Sequence, residues 1–180
     1  MNGNDMEQPF RVLNYGAGVQ STAMLVAAAL GDLPGGVRPH VAIFADTQWE
    51  PSGVMETVER MTGWAANHGI EVCTVTHGSM RSKRGANQMP VFLKHEDGTP
   101  GITGRQCTTD YKVRPIRREV RRRLGYSKGQ RWRRQLETWL GISTDEAQRM
   151  KPSQESFETA RWPLIEMGWN REQCKRYVQS

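Results

Sequence analysis

The run VLNYGAGVQSTAML, residues 12–25, limits the fold of this chain more than any other stretch. An apolar, β-favouring start gives way to Gly16 and Gly18, and the Ala- and Leu-rich sequence that follows favours a helix ended by Gly31. Strand, tight turn and helix in that order form one βα unit. Val41–Ala45 is an unbroken apolar run, which reads as a strand buried on both faces, with Asp46 at its carboxyl end. Pro51 suits the first turn of a second helix, whose Val54, Val58, Met61 and Ala65 recur at helical spacing up to Gly69, and IEVCTVT supplies a third strand. Parallel strands need right-handed helical crossovers, so the expected fold is α/β: a three-layer, doubly wound, mainly parallel sheet of the Rossmann-like kind.

At 180 residues the chain suits one domain. Residues 78–106 interrupt the rhythm with five glycines and two prolines among polar neighbours, and read as a mobile loop. Residues 107–180 then carry a basic helix near Pro115, with Val113, Ile116, Val120 and Leu124 on one face, and a C-terminal helical part. A short apolar stretch, TWLGIS, precedes a helical turn at Asp145–Met150 that Ser143 or Thr144 would cap. Asn170 and Gln173 form a capping box for a last helix.

Charge is unevenly spread. Between Lys112 and Arg134 there are eleven Lys or Arg against Glu119 alone, a local +10 in a chain of net +6, which leaves −4 elsewhere. Such a stretch seeks anions, and Trp132, Trp139 and Tyr126 beside it offer stacking surfaces, so nucleic acid is a candidate partner; a solvated helix face is the plainer reading. Cys73, Cys107 and Cys174 are an odd number without a CxxC pair, which encodes neither a disulfide framework nor a complete zinc site and suits a cytoplasmic location. Cys73 alternates within a strand and reads as core, and the four histidines show no ligand spacing. No window holds the roughly 18 consecutive apolar residues of a membrane helix, and the N-terminus lacks a signal peptide's apolar stretch, so no membrane partner is expected.

A helix N-terminus leaves backbone N–H groups unpaired, so the glycine turn can bind phosphate; a plain βα turn is the alternative. A Walker loop is excluded, because no lysine lies between Arg11 and Lys83. The dinucleotide pattern GxGxxG matches Gly16 and Gly18 but meets Ser21 at its third glycine, and Asp46 could still hold a ribose. GAGVQS, residues 16–21, also resembles the SGGxDS loop of the ATP-pyrophosphatase superfamily, with Gly16 for the first serine, Ala17 for a glycine and Gln20 for the aspartate. FADTQWEP (44–51) resembles the second-strand signature of that superfamily's phosphoadenosine phosphosulfate (PAPS) reductase branch. RQCTTDYKVRPI (105–116) resembles its Cys-x-x-x-x-Lys-x-x-Pro element, and WLGISTDEAQRMKPS resembles the continuation in PAPS-reductase-like proteins, many of them encoded by phages and prophages. Four motifs in order, over about residues 11–170, carry the resemblance.

The resemblance implies an adenine nucleotide α-hydrolase-like fold that binds ATP or PAPS across the carboxyl ends of the strands. Tyr15, Gly16, Ala17, Gly18, Gln20, Ser21 and Thr22 would surround phosphate or sulfate oxygens, Asp46 and Thr47 would lie beside the adenosine, and Arg105 and Arg114 would reach a second anionic group. Ser21, Lys112 and Cys107 are the implied catalytic residues. The implied reaction is attack at a nucleotide α-phosphate, ATP going to AMP and pyrophosphate, in sulfur transfer or nucleic-acid modification. Sulfonucleotide reduction and non-catalytic binding are the alternatives. The reductase branch's Glu-Cys-Gly-Leu/Ile-His motif is absent, and three cysteines cannot complete a four-cysteine iron–sulfur cluster within one chain. Magnesium is the candidate ion, yet no metal-ligating residue is assigned, because Gln20 is a poor ligand where a carboxylate would serve. A protein partner or a second copy of the chain could supply what is lacking.

Overall fold

The structure, a computed structural model, describes residues 8–78, 92–94, 100–102 and 109–180. The described chain divides into two compact units, Met1–Phe44 with Ser52–Cys73 and Lys128–Ser180, and Ala45–Pro51 with Thr74–Ser127.

The first unit holds most of a parallel sheet, whose second and third strands end in residues assigned to the second unit. β1 (Phe10–Tyr15) leads through the glycine turn into α1 (Val19–Leu30), β2 (Val41–Asp46), α2 (Ser52–Asn67) and β3 (Val72–Thr76). β2 has five buried residues in succession, as its unbroken apolar run requires. β1 pairs with β2 in parallel register, Val12 opposite Val41 and Tyr15 opposite Phe44. α1 is buried almost all round, from Gln20 to Ala29 except Val26, which explains why its sequence shows little polar face. Gly31 ends it at φ 85°, in the left-handed region, where a side chain would be strained.

Among the described residues, four strands lie beyond the three read from the sequence, two of them in the main sheet. β4 (Phe92–Lys94) and β5 (Pro100–Ile102) form an antiparallel ribbon in the second unit, within the segment expected to be a loop; most of that segment lies outside the described residues. β6 (Leu136–Trp139), the stretch read only as apolar, and β7 (Glu158–Arg161) extend the main sheet, whose order is β3-β2-β1-β6-β7. β6 pairs in parallel with β1, Phe10 opposite Leu136 and Leu13 opposite Trp139, and β7 pairs in parallel with β6. β3 is an edge strand, which leaves Cys73 half-buried rather than in the core.

The strand order fixes where a ligand can enter. From β1 the chain winds outward through β2 and β3, then returns to the other side of β1 as β6. In open α/β sheets the crevice at the carboxyl ends of such a strand pair is the binding position. Here that pair is β1 and β6.

The second unit contains a five-residue π-turn (Thr109–Val113) running into α3 (Arg114–Arg123), with Pro115, Ile116 and Val120 buried. In the first unit a 3-10 segment (Thr144–Arg149) precedes α4 (Pro163–Glu166) and α5 (Arg171–Gln179). The expected capping box is present: the Asn170 side chain accepts from Gln173 N–H, and the Gln173 side chain accepts from Asn170 N–H, each at 2.8 Å. α5 packs along α1, with Cys174 and Leu164 in the same core as Leu13, Phe44 and Trp139. No helix among the described residues is long and apolar enough to cross a membrane.

Candidate anion site at the β1–β6 crevice

Two short contacts hold the glycine turn. The Ser21 hydroxyl accepts from Gly16 N–H at 3.2 Å and donates to the Gly18 carbonyl at 3.1 Å, so one side chain ties both glycines. Ala17 adopts φ 53°, a left-handed conformation that costs an alanine about 1–2 kcal/mol and a glycine almost nothing. The first intrahelical bond of α1 runs from Thr22 N–H to the Gly18 carbonyl at 2.9 Å. The amides ahead of it, Gly18 to Ser21, have no carbonyl partner within α1 and lie at the positive end of the helix dipole.

β6 delivers Gly141 to this turn. A β-carbon at that position would stand 3.0 Å from Ser21 N, 3.2 Å from Ser21 Cα and 3.3 Å from Gln20 C, all backbone atoms. Only glycine lets the β6 loop lie so close to the start of α1. The sequence offered no signal for this role, because the contact joins residues 120 positions apart.

A cavity of about 250 Å³ opens there, lined by Asn14, Gly16, Gly18, Gln20, Ser21, Gly141, Glu146, Arg149 and Arg171. Arg149 is largely exposed and pairs with Glu146 at 2.8 Å. Arg171, the first residue of α5, donates from Nη1 to Gln20 Oε1 at 3.0 Å. Gln20, only 7% exposed, points its Nε2 towards Glu146 Oε2 at 3.4 Å and Ser143 Oγ at 3.5 Å. Asp145 accepts from the Arg171 backbone N–H at 3.1 Å, and the Ser143 hydroxyl, helped by Arg171, holds its carboxyl below the usual range. Asp145 thus fastens the start of α5, and with it Arg171, to the 3-10 segment. Asn14 Oδ1 is buried without a hydrogen-bond partner in the protein, a cost that a donor on a bound ligand would remove.

The sequence-based candidates separate into groups. Gly16, Gly18, Gln20 and Ser21 come together at the cavity. Tyr15 and Thr22 are buried beside each other, their hydroxyls 3.4 Å apart, and neither lines it; burial pushes the Tyr15 hydroxyl up, keeping it protonated. Asp46 and Thr47 belong to the second unit, where Asp46 Oδ1 accepts from Gln48 N–H at 2.7 Å and Thr47 donates to Glu50 at 2.9 Å. Lys112 is exposed on the π-turn and Arg114 pairs with Asp110, also in the second unit. Arg105 and Cys107 lie outside the described residues. Asn14, Arg149 and Arg171 were missed as site residues, and Glu146 was read as part of a helical turn rather than as a catalytic carboxylate; only nearness to a glycine turn in space marks them.

The basic stretch is partly committed to structure. Arg122 and Arg123 both pair with Glu119, Arg121 lies over the Tyr126 ring, and Arg134 donates to the Gln8 carbonyl at 2.9 Å. Trp132 stacks on Phe157. Trp139 is fully buried under Arg161, so the expectation that it offers a stacking surface is overturned: as a β6 residue it faces the core. Among the described residues no three His, Cys, Asp or Glu side chains stand together as a metal site.

Fold and site together define an α/β protein with a glycine turn and two arginines lining a cavity at the point where the strand order reverses. No known family model matches the sequence, and no curated protein does.

Proposed function

We propose that the protein binds the phosphate groups of an adenine nucleotide at the β1–β6 crevice and, as a PAPS-reductase-like member of the ATP-pyrophosphatase superfamily, acts at the nucleotide α-phosphate. The observation that carries the reading is the cavity itself: the N-terminal end of α1 and two guanidinium groups meet where a doubly wound sheet takes its ligand. Its 250 Å³ is below the roughly 300–1,000 Å³ of whole-ligand pockets, which suits the phosphate end of a nucleotide. The φ of 53° at Ala17, where the resembling loop carries glycine, agrees with the same reading.

In this role the amides of Gly18 to Ser21 and the guanidinium of Arg149 hold the oxygens on which negative charge grows when an acceptor attacks phosphorus and pyrophosphate departs. Sulfur transfer or nucleic-acid modification in the cytoplasm is the corresponding setting. One observation favours non-catalytic binding instead: the Ser21 hydroxyl, implied as catalytic, is already engaged at both ends in holding the turn.

Calorimetric titration of ATP with magnesium, and of PAPS, into wild type and Arg149→Ala tests the proposal. One nucleotide is expected to bind, and loss of a charged hydrogen bond worth about 1.5–3 kcal/mol weakens it by roughly ten- to a hundredfold. Equal affinity in the variant, or no binding of either nucleotide, would refute it. Release of AMP and pyrophosphate from ATP separates the enzyme from the binder.

A further inference from the structure

Gln20 occupies the position of the aspartate in the resembling loop, and the structure shows what its neutrality does. Its side chain is 93% buried and touches charge on two sides, accepting from Arg171 Nη1 at 3.0 Å while its amide nitrogen lies 3.4 Å from Glu146. An amide oxygen orients a guanidinium without cancelling its charge, whereas a carboxylate at that distance would form an ion pair and neutralise it. Glu146 is spoken for in the same way, by Arg149 at 2.8 Å. The cavity wall therefore presents the Arg171 guanidinium held by a neutral partner, the positive end of α1, and the Glu146–Arg149 pair, whose charges offset each other.

We infer that Gln20 is a positioning residue that sets the charge of this cavity, so that it accepts a phosphate or sulfate anion not complexed to a divalent cation. This rests on the anion-site reading above and adds the charge state of its ligand. A nucleotide complexed to magnesium has part of its charge already neutralised and brings a cation against Arg171. The uncomplexed anion meets the Arg171 guanidinium and the positive end of α1. Arg171 delivers that charge from the C-terminal helix, and the bond from Gln20 across 151 positions holds it there.

ATP and PAPS, each titrated in excess magnesium and in EDTA, test the inference on wild type, Gln20→Glu and Glu146→Gln. Wild type is expected to bind more tightly in EDTA than in magnesium. Gln20→Glu is expected to bind at least about tenfold more weakly in EDTA and to recover with magnesium, because the new carboxylate neutralises Arg171 and can ligate the ion. A merely structural loss would lower affinity equally in both conditions. Glu146→Gln changes a half-buried side chain rather than a core one and frees Arg149, so its binding in EDTA should tighten. Wild-type binding that is equal in the two conditions or lost in EDTA, or Glu146→Gln binding that weakens in EDTA, overturns the inference and leaves the anion site standing. Absence of binding in every condition overturns both.

Discussion

Gly141→Ala tests the geometry of the crevice directly. The added methyl would sit 3.0, 3.2 and 3.3 Å from three backbone atoms of Gln20 and Ser21, where ordinary carbon contact begins near 3.4 Å, so something must shift by a few tenths of an ångström. No side chain can rotate away, and α1 cannot slide, because it is buried almost all round from Gln20 to Ala29 and packed along α5. Forced insertion of a methyl into such packing costs about 1–3 kcal/mol. At 2 kcal/mol a chain of this length melts roughly 4–8 °C lower. Gly63→Ala supplies a control of opposite sign: Gly63 lies inside α2 with nothing within 4 Å of a new β-carbon, and removing a helical glycine stabilises by about 0.5–1 kcal/mol. Thermal unfolding followed by circular dichroism should therefore move down for Gly141→Ala and up for Gly63→Ala, with nucleotide affinity falling only in the former. If Gly141→Ala melts with the wild type and binds as tightly, the close approach of the β6 loop to α1 is wrong, and the cavity with it.

The Arg122 hydrogen bond, with help from Arg123 and against partial burial, lowers the Glu119 carboxyl from 4.5 to about 2. Because the folded value lies below the unfolded one, this contribution to α3 is complete above about pH 4.5 and disappears as pH falls towards 2. Glu119→Gln should flatten the loss of stability across that window; an unchanged acid profile would show that the two ion pairs contribute nothing. Burial, reinforced by the Asp145 charge, pushes the Cys174 thiol up to about 11, so at neutral pH a maleimide should label Cys174 only after denaturation, as mapped by peptide mass. Rapid labelling in the native protein would contradict the packing of α5 on α1.

Much of the first unit is legible in the sequence because its signals are local. The turn from β1 to α1 follows from two glycines between an apolar and an Ala-rich run, β2 from five consecutive apolar residues, and α5 from a capping box closed within four positions. β7, Glu158–Arg161, was not legible: its residues show neither alternation nor an apolar run, and only pairing with β6 makes it a strand. Half of the candidate site was equally legible. Gly16, Gly18, Gln20 and Ser21 belong to one turn, whose chemistry can be read from residue types a few positions apart.

The sequence by itself determined that a glycine turn opens a buried helix after a parallel strand, and hence that unpaired backbone amides stand at that turn. Only the tertiary structure decided what faces them. β6 returns on the far side of β1, and this brings Gly141 against Ser21, the Glu146–Arg149 pair to the cavity and Arg171 to Gln20. Strand order arises from long-range pairing, which has no periodicity along the chain. The same pairing buries Trp139, which sequence alone could offer equally well as a surface for stacking.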